Sequence, residues 1–145
     1  MVNNRVNVSA YSGLPPIEVS SDTIYIEDGP LYDVEKVLQL LTEGDEKTIP
    51  WTRKCKTDLQ KWSLDKEDAR QIVKDAISQQ EGTYLNSQWC VQNPTGPWAG
   101  CDSYKLVRDE WVEYAHKYMR FEYYVKFAIG KTGKILLLVS CHLSQ

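Results

Sequence analysis

Residues 122–143 read EYYVKFAIGKTGKILLLVSCHL, and the fold is decided in this stretch. Two runs rich in Tyr, Val, Ile, Leu and Phe, Glu122 to Ile129 and Lys134 to Leu143, flank Gly130-Lys131-Thr132-Gly133. β-Branched and aromatic residues bounded by glycine turn chemistry predict two strands joined as a hairpin. In the second run, Ile135-Leu136-Leu137-Leu138-Val139 is apolar at consecutive positions. A strand without alternation is covered on both faces, so this one is expected near the centre of the sheet. In the first run, Tyr124, Lys126 and Ala128 share one face and Tyr123, Val125 and Phe127 the other. Gly130-Lys131-Thr132 also matches the end of a phosphate-binding loop. The leading glycine of that motif would fall at Val125, and a strand rather than a helix follows, so a hairpin turn accounts for it.

Upstream of the hairpin the apolar period changes from two to nearly four. Leu31 to Leu41 predicts a first helix, with Val34, Val37, Leu38 and Leu41 on one face and Gly44 stopping it. Trp51 to Trp62 predicts a second, with Pro50 in its first turn and Cys55, Leu59 and Trp62 along one side. The third and best defined runs from Asp65 to Ser78. Asp65 is the expected N-cap with Asp68 three residues on, and Ala69, Ile72, Val73, Ala76 and Ile77 form the stripe. Thr23 to Ile26 is expected as a short edge strand ended by Asp28-Gly29-Pro30. Tyr84 to Val91 and Ser103 to Val107 read as further strands, with Trp111 to Tyr118 a helical or irregular connection. Residues 1–22, broken by Pro15-Pro16, form an N-terminal arm, flexible or packed over the domain, before a single domain at 23–145. The expected class is therefore α+β: a helical N-terminal half of three helices on a mainly antiparallel C-terminal sheet.

The 145 residues suit one domain, and no metal or disulfide is needed to stabilise a chain of this length. Five Trp and nine Tyr against two Phe favour half-buried surfaces, where the polar handle of each ring reaches water. The net charge of −3 excludes a binder that relies on bulk attraction to phosphate alone. Its distribution is uneven: residues 105–145 carry seven Lys or Arg against four acids, a balance of +3, leaving −6 for residues 1–104. No apolar run reaches membrane-spanning length and the N-terminus lacks a signal-peptide core, so a cytoplasmic protein with four reduced cysteines is expected.

Those cysteines, Cys55, Cys90, Cys101 and Cys141, with His116 and His142, suffice in number for zinc but lack the close pairing of a structural site. Cys90 and Cys101 flank a Pro/Gly turn and are placed to lie across a hairpin. Cys141 and His142 are adjacent on a strand, so they point to opposite faces and cannot pair as nucleophile and base. His142 alone is a candidate acid or base near neutral pH. Tyr123, Tyr124, Lys126, Arg120 and Tyr104 are a second constellation, since aromatic and basic residues on an open sheet suit stacking on bases and holding phosphate. A hydrogen-bonded histidine and a solvated strand face are the plain alternatives.

The order of elements resembles the MqsR-type toxins, relatives of the RelE-like messenger-RNA interferases, over roughly residues 31–143. Leu31-Tyr32-Asp33-Val34 followed by Gly44, and Leu64-Asp65-x-x-Asp68, are similar to the openings of that family's helices. Tyr84-Leu85-Asn86-Ser87 resembles its F-Y-K-S motif and Cys101-Asp102-Ser103-Tyr104 its W-Q-D-V-Y motif. Tyr124-Val125-Lys126-Phe127 and Leu138-Val139-Ser140-Cys141-His142 resemble its closing Y-x-K and V-S-F-K strands. Asn86, Cys101 and His142 stand where the family carries Lys, Gln and Lys; Tyr124 keeps the family residue at a position implicated in catalysis. The resemblance implies metal-free, cofactor-free cleavage of single-stranded or messenger RNA by a toxin of a bacterial or prophage toxin–antitoxin system, partnered by an antitoxin. In that expectation His142 and Tyr124 are catalytic and Lys126, Arg120, Tyr104 and Asn86 hold RNA. The alternative is a non-enzymatic binding module on the same fold: an immunity protein, an antitoxin or a phage-encoded inhibitor.

Overall fold

The structure, a computed structural model, describes residues 5–17, 23–78 and 80–144. In chain order the elements are β1 (Tyr25–Ile26), α1 (Val34–Thr42), β2 (Thr48–Pro50), α2 (Arg53–Lys61), α3 (Lys66–Ala76), β3 (Gly82–Val91), β4 (Trp98–Val112), β5 (Lys117–Ile129) and β6 (Leu136–Leu143). The class is α+β, but the N-terminal half is not purely helical: β1 precedes the helices and β2 separates the first two. The six strands form one sheet in the order β1-β3-β4-β5-β6-β2. Every neighbouring pair is antiparallel except β2 with β6, which is parallel.

Each helix begins where a side-chain cap satisfies orphan backbone N–H groups. Asp33 caps α1, and Asp65 caps α3 in a reciprocal box with Asp68. The hydroxyl of Thr52 caps α2, accepting from the Cys55 N–H at 3.0 Å while donating to the Val139 carbonyl at 2.6 Å. Pro50 therefore does not open α2 as expected; it closes β2, and the chain turns through Trp51 before the helix starts. In α3, Ala69, Ile72, Val73 and Ala76 are fully buried against the sheet, as their spacing predicts. Burying Ile72 and Val73 contributes about 1.5–3 kcal/mol each. The helix ends at Ala76, two residues short of the expected Ser78, and Gly82 then starts β3. A Cβ there would sit 1.6 Å from the Ala76 carbonyl oxygen, so only glycine lets the strand pass the helix end this closely.

The helices cover one face of the sheet. Tyr104, Leu106, Tyr123, Val125, Phe127, Leu138 and Cys141 point into the core beneath them. Arg108 ties this face to α3, its guanidinium 2.9 Å from Asp75 and 2.7 Å from Glu110. Asp102, with no exposure, accepts from the Leu31 N–H (2.9 and 3.0 Å), the Tyr32 N–H (3.1 Å) and the Ser87 hydroxyl (2.6 Å), fixing the lead-in to α1. Of the N-terminal arm, residues 1–4 and 18–22 lie outside the described residues. Val8 N–H donates to the Trp98 carbonyl and Ala10 N–H to that of Ile129, so this part of the arm bridges the start of β4 and the end of β5.

β6 lies between β5 and β2, as its unbroken apolar run predicts. Trp111 to Tyr118 is not an irregular link. β4 continues through Val112, Glu113–Ala115 make a single 3-10 turn closed by His116 in the left-handed region (φ 48°), and β5 begins at Lys117. The pairing Val107↔Glu122 through Val112↔Lys117 extends beyond β3 and β6 as a two-stranded ribbon. Trp111, Tyr114 and Tyr118 are exposed on it, with Trp111 and Tyr118 edge to face at 5.4 Å.

Candidate functional site

The face of the sheet away from the helices carries a shallow cleft of about 300 Å³. Strand alternation and register assemble it. Tyr124 of β5 lies opposite His142 of β6, and Lys126 lies between Ser103 of β4 and Ser140 of β6. Asn86 of β3 lies opposite Ser103, and Gln88 follows two residues on along the same face. Irregularities at Tyr84/Asn86 and Lys126/Phe127 keep these rows aligned although the partner strands differ by one residue there. Asn86, Tyr124, Lys126 and His142, four residues that the sequence singles out, thus meet in one place.

His142 and Tyr124 stack, with ring centroids 5.7 Å apart and 21° between planes. Burial pushes the His142 imidazole below its ordinary value of 6.5; Lys54 and Lys126 add repulsion, and Asp58 opposes them. The ring is accordingly neutral at pH 7 and able to accept a proton. Its Nδ1 and the Ser103 hydroxyl are buried without hydrogen-bond partners among the described residues. The Gln88 amide donates to Asn86 Oδ1 at 3.2 Å, which orients both side chains. The arrangement offers a neutral base, a cation, a phenol and a pair of amides on an open surface.

Two expected members stand apart from this group, one at the border of the cleft and one outside it. Tyr104 borders the cleft but is only 5% exposed. It pairs with Val125 on the helix-covered side, and its ring stacks on Phe127 at 5.8 Å and meets Tyr84 at 5.6 Å. Desolvation there pushes its hydroxyl up to about 12, as expected of a ring packed largely in the core. Arg120 sits on the ribbon opposite Asp109, with its guanidinium 3.6 Å from that carboxylate. It lies four residues from Tyr124, roughly 13 Å along the strand, and does not line the cleft. Gln88, Ser103 and Ser140 were not anticipated; each stands two residues from a residue that was, or directly across from one, and the period-two rule carries that signal.

The cysteines divide sharply. Cys55 and Cys141 are buried on the helix side, where desolvation pushes both thiols up to about 12. Cys141 and His142 do point to opposite faces. Cys90 pairs with Ala99 and Cys101 with Gln88, so the two thiols are diagonal neighbours on the open face rather than directly opposed. Interaction with Cys101 lowers the Cys90 thiol, while burial raises that of Cys101. Among the described residues no group of three His, Cys, Asp or Glu is placed to hold a metal ion, and no helix is long and apolar enough to cross a membrane.

No protein-family model matches the chain, and neither the curated proteins nor the solved structures give a match.

Proposed function

We propose that the chain is a metal-independent endoribonuclease that cleaves single-stranded RNA, acting as the toxin of a toxin–antitoxin pair in the bacterial cytoplasm. The observation that carries the reading is the His142 ring stacked on Tyr124 beside Lys126 in an open cleft. Cleavage by this chemistry needs a base for the ribose 2′-hydroxyl, a charge to stabilise the pentacoordinate phosphate, and a proton for the departing 5′-oxygen. His142 takes the 2′-hydroxyl proton. Lys126 faces the developing negative charge. The Tyr124 hydroxyl positions the phosphate and supplies the proton to the leaving oxygen. Asn86 and Gln88 offer donors and acceptors to the edges of an unstacked base. The motif resemblance to the MqsR-type toxins supports this reading, and an antitoxin that covers the open face would silence it.

Inducible expression of the wild type and of His142→Ala in a bacterial host tests the proposal, with growth and RNA integrity followed together. Arrest with fragmented RNA, lost in the variant, is expected. Normal growth and intact RNA at good wild-type expression would remove the nuclease reading.

The protruding ribbon favours a second reading, a non-enzymatic module that binds a protein. Trp111, Tyr114 and Tyr118 are 49%, 89% and 69% exposed there, and exposed aromatic residues on a projecting element are typical anchors of an interface. Co-purification with the product of an adjacent gene, lost on Trp111→Ser but kept on His142→Ala, is the result that reading expects.

A further inference from the structure

A second cavity, of about 430 Å³, adjoins the first. The two share Lys126, Ser140 and His142, so these side chains form a ridge between two basins. The second basin has an apolar floor of Val91, Pro94 and Val139, amides from Gln92 and Asn93, and a basic rim of Arg53 and Lys54 from the start of α2. Gln92 is already anchored, its amide donating to the Trp51 carbonyl at 3.0 Å. Lys54 is bonded to Asp58 at 2.6 Å but remains 64% exposed, so its ammonium is within reach of an incoming anion.

We propose that this second basin holds the nucleotide adjoining the cleaved bond, so that a single RNA strand lies across both basins with its scissile phosphate on the His142–Lys126 ridge. The inference rests on the ribonuclease reading and adds the path of the substrate. Three arguments converge on it. A linear polymer is the kind of ligand that fills two basins divided by a reactive ridge. Both volumes lie within the range of small-ligand sites, about 300–1,000 Å³, and each basin combines apolar surface with amides, the combination that receives an unstacked base. The first basin has Lys126 as its sole Lys or Arg, whereas the second adds Arg53 and Lys54. In a chain of net charge −3, a local group of three cations is where a phosphate backbone is held.

The test uses a fluorescent single-stranded 2′-O-methyl RNA hexamer, which lacks the 2′-hydroxyl and cannot be cleaved by this route. Its affinity is measured by anisotropy against salt for the wild type, Arg53→Ala and the Arg53→Ala/Lys54→Ala double variant, with cleavage of an unmodified hexamer measured in parallel. Both substituted residues are exposed, and circular dichroism verifies the fold. The double variant is expected to bind at least ten-fold more weakly, with the slope of log K against log salt reduced by about 1.4, the value for two lost phosphate contacts on a single strand. Arg53→Ala alone should lose about half of that slope. Wild-type cleavage and binding with unchanged affinity and slope in both variants would overturn the second basin and leave the ribonuclease reading intact. A wild type that neither binds nor cleaves RNA would overturn both.

Discussion

Replacing Asp102 with Ala should be the most damaging single change to the frame behind the cleft. The carboxylate is fully buried and receives the Leu31 N–H, the Tyr32 N–H and the Ser87 hydroxyl. Alanine leaves the buried Tyr32 N–H and the half-buried Leu31 N–H without partners, at up to about 1–3 kcal/mol each. Ser87 is less affected because it is also hydrogen-bonded to the Tyr84 hydroxyl at 2.7 Å. The expected loss is about 3–5 kcal/mol, a large part of the roughly 5–15 kcal/mol typical of a domain. With a urea slope of about 2 kcal/mol/M, the midpoint should fall by about 2 M in unfolding followed by tryptophan fluorescence. Asp102→Asn keeps one acceptor and should lose about half as much. The pH dependence has a definite sign. Desolvation raises the folded-state carboxyl above its ordinary value of 3.8, against the opposing hydrogen bonds. The folded chain therefore binds this proton more tightly than the unfolded chain. Wild-type stability relative to Asp102→Asn should fall as pH rises from about 3.8 through the raised value. A loss below 1 kcal/mol in the alanine variant would refute the tethering argument.

If His142 is the base, its lowered folded value means that cleavage persists below pH 6.5 and declines only as the ring protonates at more acidic pH; a decline centred above 6.5 in the pH–rate profile would exclude that role. His142→Ala should cut the rate about 10²–10⁴-fold in a gel assay of RNA cleavage, with the urea midpoint little changed. Thr52→Ala removes both the cap of α2 and its bond to β6, and should destabilise by about 1–2 kcal/mol in the same denaturation assay. Among the four thiols, Cys90 should react quickly with a disulfide reagent in the native protein, and Cys90→Ser should abolish that fast phase, because the other three are buried with raised values.

The sequence was most legible where one physical rule acted alone. The capping pair Asp65 and Asp68 and the stripe after it place α3 within two residues, since cap chemistry and apolar period agree there. Alternation along Tyr123–Ala128 sorts core from open face, and with β6 it brings Tyr124, Lys126 and His142 together. It was silent where length or context decides. Thr48–Pro50 is too short to show a period and is a strand through its parallel pairing with Leu136–Leu138. The ribbon through Trp111 and Tyr118 lacks a buried face, so its mixed charged and aromatic residues resemble a loop. Tyr104 was ambiguous because a tyrosine suits base stacking as well as a core; its register with Val125 places most of the ring on the helix-covered side, and register is a property of the sheet rather than of the residue.

The sheet order also dictates how the molecule must assemble. From β3 to β6 each strand pairs with the one that precedes it, so this stretch can zip up hairpin by hairpin with short loops to close. The borders cannot. Thr48 must find Leu136, and Ser9 must find Gly130, across most of the chain. Such remote closures slow folding toward the millisecond-to-second range. During that interval the outer edge of β6 is bare, and an open strand edge is a template for self-association. Freshly diluted chains should therefore aggregate more as concentration rises, and a free peptide carrying Thr48-Ile49-Pro50 should compete for that edge during refolding yet have no effect on the finished protein.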